Sequence, residues 1–336
     1  MKQKIRWGVI GSGGIAKRRT IPEGILKAKN AELAVVCSRD AKKNEETAKQ
    51  FGAKPARTIE ELLQADIDAV YIATPVNQHL EQTRLAAAAG KHVFCEKPLG
   101  LNVADAEAML AACRKAKVNL GTAFMMRFHS QHQVANKLIA EGKLGKPVFA
   151  RAQIAFWYPP LPGAWRQNPA EGGGGALMDL AGHCLDLFEM FFGPVTAVSC
   201  MTNRTIQDYA SEDSAVTLAR FANGALGTVD TFFCIADNSS KNRLELYGSQ
   251  GGILAQGTIG QGEAGEMMFF PETGDENKIA PAPVNMYRAE IEDFSQALLD
   301  GKDTSESAEA GVHSQKLLAA CYQSARSGRE IPLPSA

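Results

Sequence analysis

Trp7-Gly8-Val9-Ile10-Gly11-Ser12-Gly13-Gly14-Ile15-Ala16 is the stretch that decides the first half of the fold. Trp7 to Ile10 reads as a buried strand. Ile15 onward can open a helix, with Pro22 expected to start, end or kink it. Between them lies the pattern G-x-G-x-x-A in the strand-to-helix context that a dinucleotide turn requires. Gly11 permits a tight turn, Gly13 leaves backbone open to a pyrophosphate, and Ala16 allows close helix–strand packing. Backbone amides at a helix start attract phosphate. Gly11, Ser12, Gly13, Gly14 and Ile15 are therefore candidate cofactor contacts.

Outward from this turn, strand and helix signals alternate for about 125 residues, as in a parallel sheet covered on both faces. Leu33 to Cys37, Ala69 to Ala73, His92 to Cys95 and Asn119 to Gly121 read as further strands. Ala41 to Phe51, His79 to Ala89 and Ala104 to Ala116 read as helices. After residue 125 the runs Val148–Phe156, Val195–Met201, Ala215–Phe221, Ala225–Phe233 and Arg243–Tyr247 are β-rich. Asn223-Gly224 is a hairpin signal. Gly257 to Gly265 reads as a mobile Gly-rich loop. Met286 to Leu299 and Ser305 to Ser327 close the chain as amphipathic helices. The expectation is an α/β chain of two domains. Residues 1–125 form an NAD(P)-binding Rossmann domain; residues 126–336 form an α/β domain with an antiparallel or mixed sheet.

Composition narrows the function classes. The 336 residues carry 36 Lys and Arg against 37 Asp and Glu, a net charge of −1, so no bulk field favours nucleic acid or an anionic membrane. Seven cysteines stand without CxxC pairs, which suits free thiols in a reducing cytoplasm. No apolar stretch is long enough to span a bilayer. His129-x-x-His132 has helical spacing, yet no third ligand stands nearby, so no metal is expected.

Two further clusters carry chemistry. Strand two ends in Cys37-Ser38-Arg39-Asp40, with Lys43 one helical turn on. A hydroxyl, a guanidinium and an ammonium suit a ribose 2′-phosphate, which favours NADP(H). Asp40 keeps NAD(H) open, because an inward carboxylate would bind a 2′-hydroxyl. Glu96-Lys97-Pro98 follows the apolar run Val93-Phe94-Cys95 and delivers a lysine to the same sheet edge as the glycine turn; whether Pro98 follows a cis peptide is left open. In the second half, Gly172 to Gly175 precede Asp179 and His183, four apart on an expected helix face. The glycines let backbone pass close to a ligand or adopt positive φ, and His is the natural acid–base near neutral pH. Alone, His183 reads as a packed helix histidine. Trp157, Tyr158 and Trp165 could be core aromatics or could stack on a sugar.

Together, Gly11 to Ala16, Ala73-Thr74-Pro75-Val76-Asn77-Gln78-His79, Glu96-Lys97-Pro98 and Asp179-x-x-x-His183 resemble the glucose–fructose oxidoreductase/inositol dehydrogenase (Gfo/Idh/MocA) family over essentially the whole chain. The resemblance implies a second domain with a large, open, mostly antiparallel sheet that commonly mediates oligomerisation, hence a homodimer or homotetramer. It puts Lys97, Asp179 and His183 on the catalytic positions, and Thr74, Pro75, Asn77 and His79 on nicotinamide-side and ribose contacts, with Glu96 beside them. Trp165, Arg166 and Tyr287 fall where anhydrosugar-reducing members approach the cofactor. The segment Ala123 to His129, with Arg127 a substrate contact, resembles members acting on sugars and dihydrodiols. Ala123 and Met126 depart from the usual amide and Tyr, which bears on the substrate and not on the reaction class. The implied activity is hydride transfer between NAD(P)(H) and a CH–OH or C=O carbon of a sugar, anhydrosugar, cyclic polyol or dihydrodiol. A catalytically silent cofactor-binding sensor and a lyase or glycosidase using the cofactor transiently are the rival readings.

Overall fold

The computed structural model describes residues 3–333. Two compact units divide the chain. The first runs to Met125 and includes Asn285–His313; the second comprises Met126–Val284 and the chain from Ser314 onward.

In the first unit β1 (Ile5–Ile10), β2 (Ala31–Cys37), β3 (Lys54–Ala56), β4 (Ala69–Ile72), β5 (His92–Glu96) and β6 (Leu120–Ala123) form a parallel sheet of order β3-β2-β1-β4-β5-β6. The strands inside the sheet are apolar because helices cover both faces. One face buries Trp7, Tyr71, Phe94, Ile291 and Phe294; the other buries Val70, Val93, Leu120, Met109, Ala308 and Val312. Trp7 Nε1 donates to Ser295 Oγ at 3.2 Å. Ser295, Ile291 and Phe294 sit on the helix Met286–Leu299, and Ala308 and Val312 follow it. The expectation of one domain over residues 126–336 is therefore corrected, since Asn285–His313 complete the first core. Pro22 neither starts nor ends the helix but lies inside one continuous element, Ala16–Ile25. That element is a π-helix, and Leu26 N–H reaches back five residues to the Ile21 carbonyl at 3.1 Å. Wider turns accommodate a residue that lacks an N–H.

In the second unit β7 (Pro147–Ala155), β8 (Val195–Asn203), β9 (Ser214–Phe221), β10 (Leu226–Phe232), β11 (Arg243–Gly248), β12 (Gly251–Gln256), β13 (Glu266–Pro271), β14 (Asn277–Lys278) and β15 (Ile331–Pro332) form one sheet. Its order is β14-β13-β12-β11-β7-β10-β9-β8-β15. Among the described strands, β7 and β10 pair in parallel and every other pairing in this sheet is antiparallel. Asn223-Gly224 turns the β9–β10 hairpin: Gly224 has φ +90° and Asn223 Oδ1 accepts from Ala225 N at 2.9 Å. The stretch Gly257 to Gly265 is held near both ends. His132 Nε2 lies 3.1 Å from Thr258 Oγ1, and Gln131 Nε2 donates to the Gly265 carbonyl at 3.2 Å. One face of the sheet packs on Phe188 of the helix Gly182–Phe192; the other leaves Met201, Val216, Leu218 and Leu226 exposed.

Candidate active site

The glycine turn has two unlike sides. Gly11, at φ +88°, is pressed against the end of β4: a Cβ there would lie 2.8 Å from the Ala73 backbone and 2.9 Å from Thr74 Cγ2. Its N–H donates to the Cys37 carbonyl at 2.8 Å. Gly13 and Gly14 are exposed, and a Cβ at either would meet nothing within 4 Å. The outer side is thus an open glycine cradle at a helix start, at the β1–β4 edge where the strand order reverses. That suits a pyrophosphate. Ser12 does not face this space. Its buried hydroxyl donates to Asn44 Oδ1 at 3.1 Å, and Asn44 Nδ2 donates to the Val36 and Ala56 carbonyls. Ile15 is half-buried behind the turn.

At the end of β2, Ser38 is half-buried while Arg39 and Lys43 are exposed. Asp40 caps the helix Ala41–Phe51, accepting from Lys43 N at 3.0 Å. Lys43 Nζ lies 3.5 Å from Asp40 Oδ2. The Lys43 backbone amide holds the Asp40 carboxyl below its usual range. The acidic residue at this strand end is therefore engaged with its own helix.

His79 joins two strand ends. Its Nδ1 is 3.1 Å from the Pro98 carbonyl and 3.2 Å from that of Leu99, and its Nε2 is 3.0 Å from that of Thr74. The ring is buried, which pulls its pKa down while the three carbonyls push it back up. The ribose-contact expectation for His79 is corrected to a clamp between the loops after β4 and β5. Thr74 Oγ1 donates to Gln82 Oε1 at 2.7 Å, Pro75 is half-buried and Asn77 is exposed. The Lys97–Pro98 peptide is cis, and Lys97 is half-buried at the end of β5. Glu96 accepts from the buried Tyr71 hydroxyl at 2.6 Å, and Tyr71 accepts from Thr20 Oγ1 at 3.1 Å. Tyr287 is buried on the helix Met286–Leu299, with Glu96 and Glu290 nearby; burial pushes its phenol pKa up.

In the second unit Asp179 lies in a π-helical turn, Leu177–Ala181, that runs into the helix Gly182–Phe192 carrying His183. Both side chains are buried. Such turns recur at functional sites. Arg166 Nε lies 2.9 Å from Asp179 Oδ2, and its guanidinium stacks 4.1 Å over the Trp165 ring. Tyr158 stands beside both: burial raises its phenol pKa, Arg166 lowers it and Asp179 raises it. Trp165, Arg166, Tyr158 and Asp179 thus form one cluster, in which Arg166 holds the carboxylate and braces the indole.

In the glycine run before it, Gly173 takes the positive φ that such a run allows, +80°, and the next two glycines are required by packing. A Cβ on Gly174 would strike the Tyr322 hydroxyl, and one on Gly175 would strike the Glu212 carbonyl. Glu212 Oε1 accepts from Gly175 N at 2.8 Å, Leu177 N at 3.1 Å and Tyr322 Oη at 2.7 Å. Arg127 is tied to the next helix. Its guanidinium forks onto the buried Asp186, with contacts of 2.7–3.0 Å. Glu212, Asp186 and Asn44 escape a sequence reading, because each acts on a residue distant in the chain and carries no local pattern.

Residues 5–124 match the model described as "Oxidoreductase family, NAD-binding Rossmann fold", and residues 132–254 match the "GFO/IDH/MocA C-terminal domain". The chain is 31% identical over 328 residues to 1,5-anhydro-D-fructose reductase of Ensifer adhaerens, covering 96% of this chain and 97% of that one. It is 28% identical to D-xylose 1-dehydrogenase (NADP(+)) 2 of Haloferax volcanii, covering 97% and 99%. Its fold superposes on the crystal structure of aldose-aldose oxidoreductase from Caulobacter crescentus complexed with glycerol, with TM-score 0.90, 28% identity and coverage of 98% and 100%.

Proposed function

Since the chain belongs to the GFO/IDH/MocA oxidoreductase family, with an NAD-binding Rossmann fold at its N-terminal end, we propose that its reaction interconverts CH–OH and C=O on a sugar, anhydrosugar, cyclic polyol or dihydrodiol. The observation that carries this reading is that Lys97 directly follows β5 in the same parallel sheet whose β1 runs into the glycine turn left open at Gly13 and Gly14. Parallel strands put both at one carboxyl edge, where such sheets bind ligands.

Gly11, Gly13, Gly14 and Ile15 would hold the cofactor pyrophosphate. Ser38, Arg39 and Lys43 would hold the adenosine ribose, and Thr74, Pro75, Asn77 and Glu96 the nicotinamide side. Ser12 and His79 act by fixing backbone. When bound, the nicotinamide ring supplies or accepts the hydride. Lys97 donates a hydrogen bond to the reacting substrate oxygen and stabilises negative charge there. His183 removes the hydroxyl proton in oxidation and returns one in reduction. Asp179, oriented by its ion pair with Arg166, accepts from a second substrate hydroxyl. Trp165 and Tyr158 offer aromatic faces to the sugar.

A spectrophotometric screen tests this reading. Both cofactors are offered with aldoses, inositols, anhydrosugars and dihydrodiols in both directions. Cofactor binding without turnover on any of them would favour the silent sensor. We propose NADP(H) over NAD(H), because Asp40 is engaged with its own helix while Arg39 is exposed. A charge-assisted hydrogen bond is worth about 1.5–3 kcal/mol, so Arg39→Ala should raise KM for NADP(H) roughly tenfold or more with little change for NAD(H). Equal effects on both would remove the preference.

The open sheet face supports self-association. Val216, Leu218 and Leu226 point outward from β9 and β10, and Met201 from β8; Met201 is 80% exposed. Contiguous exposed apolar surface of this kind marks an interface. Leu218→Glu should lower the mass seen by sedimentation to that of a monomer. An unchanged mass would exclude this face.

A further inference from the structure

We propose that Gln167 is a positioning residue: its buried carboxamide takes the place of backbone pairing in the proline-rich loop over residues 158–166, and so holds Arg166 on Asp179 with Trp165 stacked against it. The loop reads Tyr158-Pro159-Pro160-Leu161-Pro162-Gly163-Ala164-Trp165-Arg166. Its three prolines carry no N–H, so no strand ladder can hold this backbone. Residues 160–163 are exposed, and loops of this kind are ordinarily mobile.

At the start of the loop Tyr158 N donates to the Phe233 carbonyl at 2.9 Å, and Tyr209 Oη donates to the Tyr158 carbonyl at 3.2 Å. At its tip Ala164 N donates to the Leu161 carbonyl at 3.2 Å, around Pro162 and a Gly163 at φ +71°. Proline followed by glycine is the pair a type II turn takes. The Pro159 carbonyl and the Leu161 N–H remain, and Gln167 serves both. Its Nε2 donates to Pro159 O at 2.7 Å, and its Oε1 accepts from Leu161 N at 3.0 Å. Among the described residues, no other group beyond the tip turn hydrogen-bonds residues 159–163. Gln167 is itself well placed to anchor them. It is 8% exposed, its N–H donates to the Ala164 carbonyl at 2.9 Å, and its carbonyl accepts from Ser211 N at 3.3 Å.

Trp165 and Arg166 share one helical turn with Gln167. The staple thus closes the loop at the residue that directly follows them. Arg166 Nε lies 2.9 Å from Asp179 Oδ2, and its guanidinium stacks 4.1 Å over the Trp165 ring. Ser211, which holds the Gln167 carbonyl, precedes Glu212, which holds the turn bearing Asp179. Both sides of the ion pair are therefore anchored at adjacent residues. A binding wall held this way is set before substrate arrives.

Gln167→Met keeps the side-chain length and loses both hydrogen bonds. Hydrogen exchange in the peptide over residues 158–167, read by mass spectrometry, should quicken about tenfold, with other peptides exchanging as in wild type. Unchanged exchange would overturn the proposal. Gln167→Glu adds a signed pH test. A protonated carboxyl donates to the Pro159 carbonyl and accepts from Leu161 N, whereas an ionised one sets a negative oxygen against that carbonyl. The folded pKa of the introduced carboxyl is therefore raised above its unfolded value, about 4.3. Its stabilising contact is complete below that value and is lost as pH rises toward the folded pKa. Exchange in the same peptide, taken relative to wild type at each pH, should slow from pH 8 to pH 5 in Gln167→Glu and stay level in Gln167→Met. A level ratio in Gln167→Glu would equally overturn the staple, and this variant serves alone should Gln167→Met not fold.

The positioning role rests on the substrate site proposed around Asp179, whereas the exchange readouts do not, so the two failures are distinguishable. The kinetic probe is the sugar turned over fastest in the cofactor screen. Gln167→Met should raise its KM about tenfold and lower kcat less than about threefold, since the loosened wall costs binding and orientation together. Gln167→Glu should bring KM back toward wild type at pH 5. A fall in kcat at unchanged KM would reflect a smaller folded fraction and would remove the positioning role.

Discussion

Lys97→Ala is expected to lower kcat roughly a hundredfold to a thousandfold, the cost of losing one preorganised donor to a developing oxyanion. Cofactor affinity, read by nicotinamide fluorescence, should stay near wild type. The reason is the way the lysine is held. Cys95 before it and Pro98 and Leu99 after it are buried, and His79 binds the carbonyls of the last two. Truncating the side chain therefore removes an ammonium and leaves the strand end in place. Lys97→Arg should not restore the rate, since a planar guanidinium offers its donors in a different geometry. A near-wild-type kcat in Lys97→Ala would end the proposed role, and a parallel loss of cofactor affinity would reassign Lys97 to binding.

The residues that make Lys97 effective differ in how far the sequence reveals them. Trp7 to Ala16 is legible because an apolar run, two turn glycines and a small residue each constrain local backbone. The same logic finds β4, β5 and the Asn223-Gly224 hairpin. It misses β3, whose Lys54 and Pro55 carry no apolar run because they form a sheet edge. It assigns Met286–Leu299 to the wrong unit, because amphipathicity says that a face is buried but not against what. Ile291, Phe294 and Ser295 meet Trp7, almost three hundred residues earlier, and Phe94, about two hundred residues earlier. His79 and Arg127 are read only in part. Their chemistry is plain in the sequence, yet their partners Pro98, Leu99 and Asp186 are set by tertiary packing. Family resemblance supplies which positions matter; the hydrogen bonds supply what several of them do.

Glu212→Ala carries the largest structural effect expected in the second unit. Glu212 Oε1 serves the amides of Gly175 and Leu177 and the Tyr322 hydroxyl, and its own backbone carbonyl accepts from Ala176 N at 3.0 Å. The two amides served by the side chain open the turn that carries Asp179, where a negative charge also suits the helix dipole. Burial raises the Glu212 carboxyl pKa, and its hydrogen-bond donors pull it back down. Alanine leaves three donors without an acceptor at about 1–3 kcal/mol each, so a loss of at least about 3 kcal/mol is expected. In a unit of this size that lowers Tm by roughly 6–12 °C. Glu212→Gln retains an acceptor oxygen and should recover a large part. Tyr322→Phe removes one of the three donors, so the double variant with Glu212→Ala should lose less than the sum of the singles. At temperatures where Glu212→Ala remains folded, kcat should still fall, because Asp179 and His183 follow directly from the loosened turn. A Tm unchanged by Glu212→Ala would mean that the glycine run is held by Tyr322 and backbone packing alone. The carboxylate would then have no part in aiming the helix that bears His183.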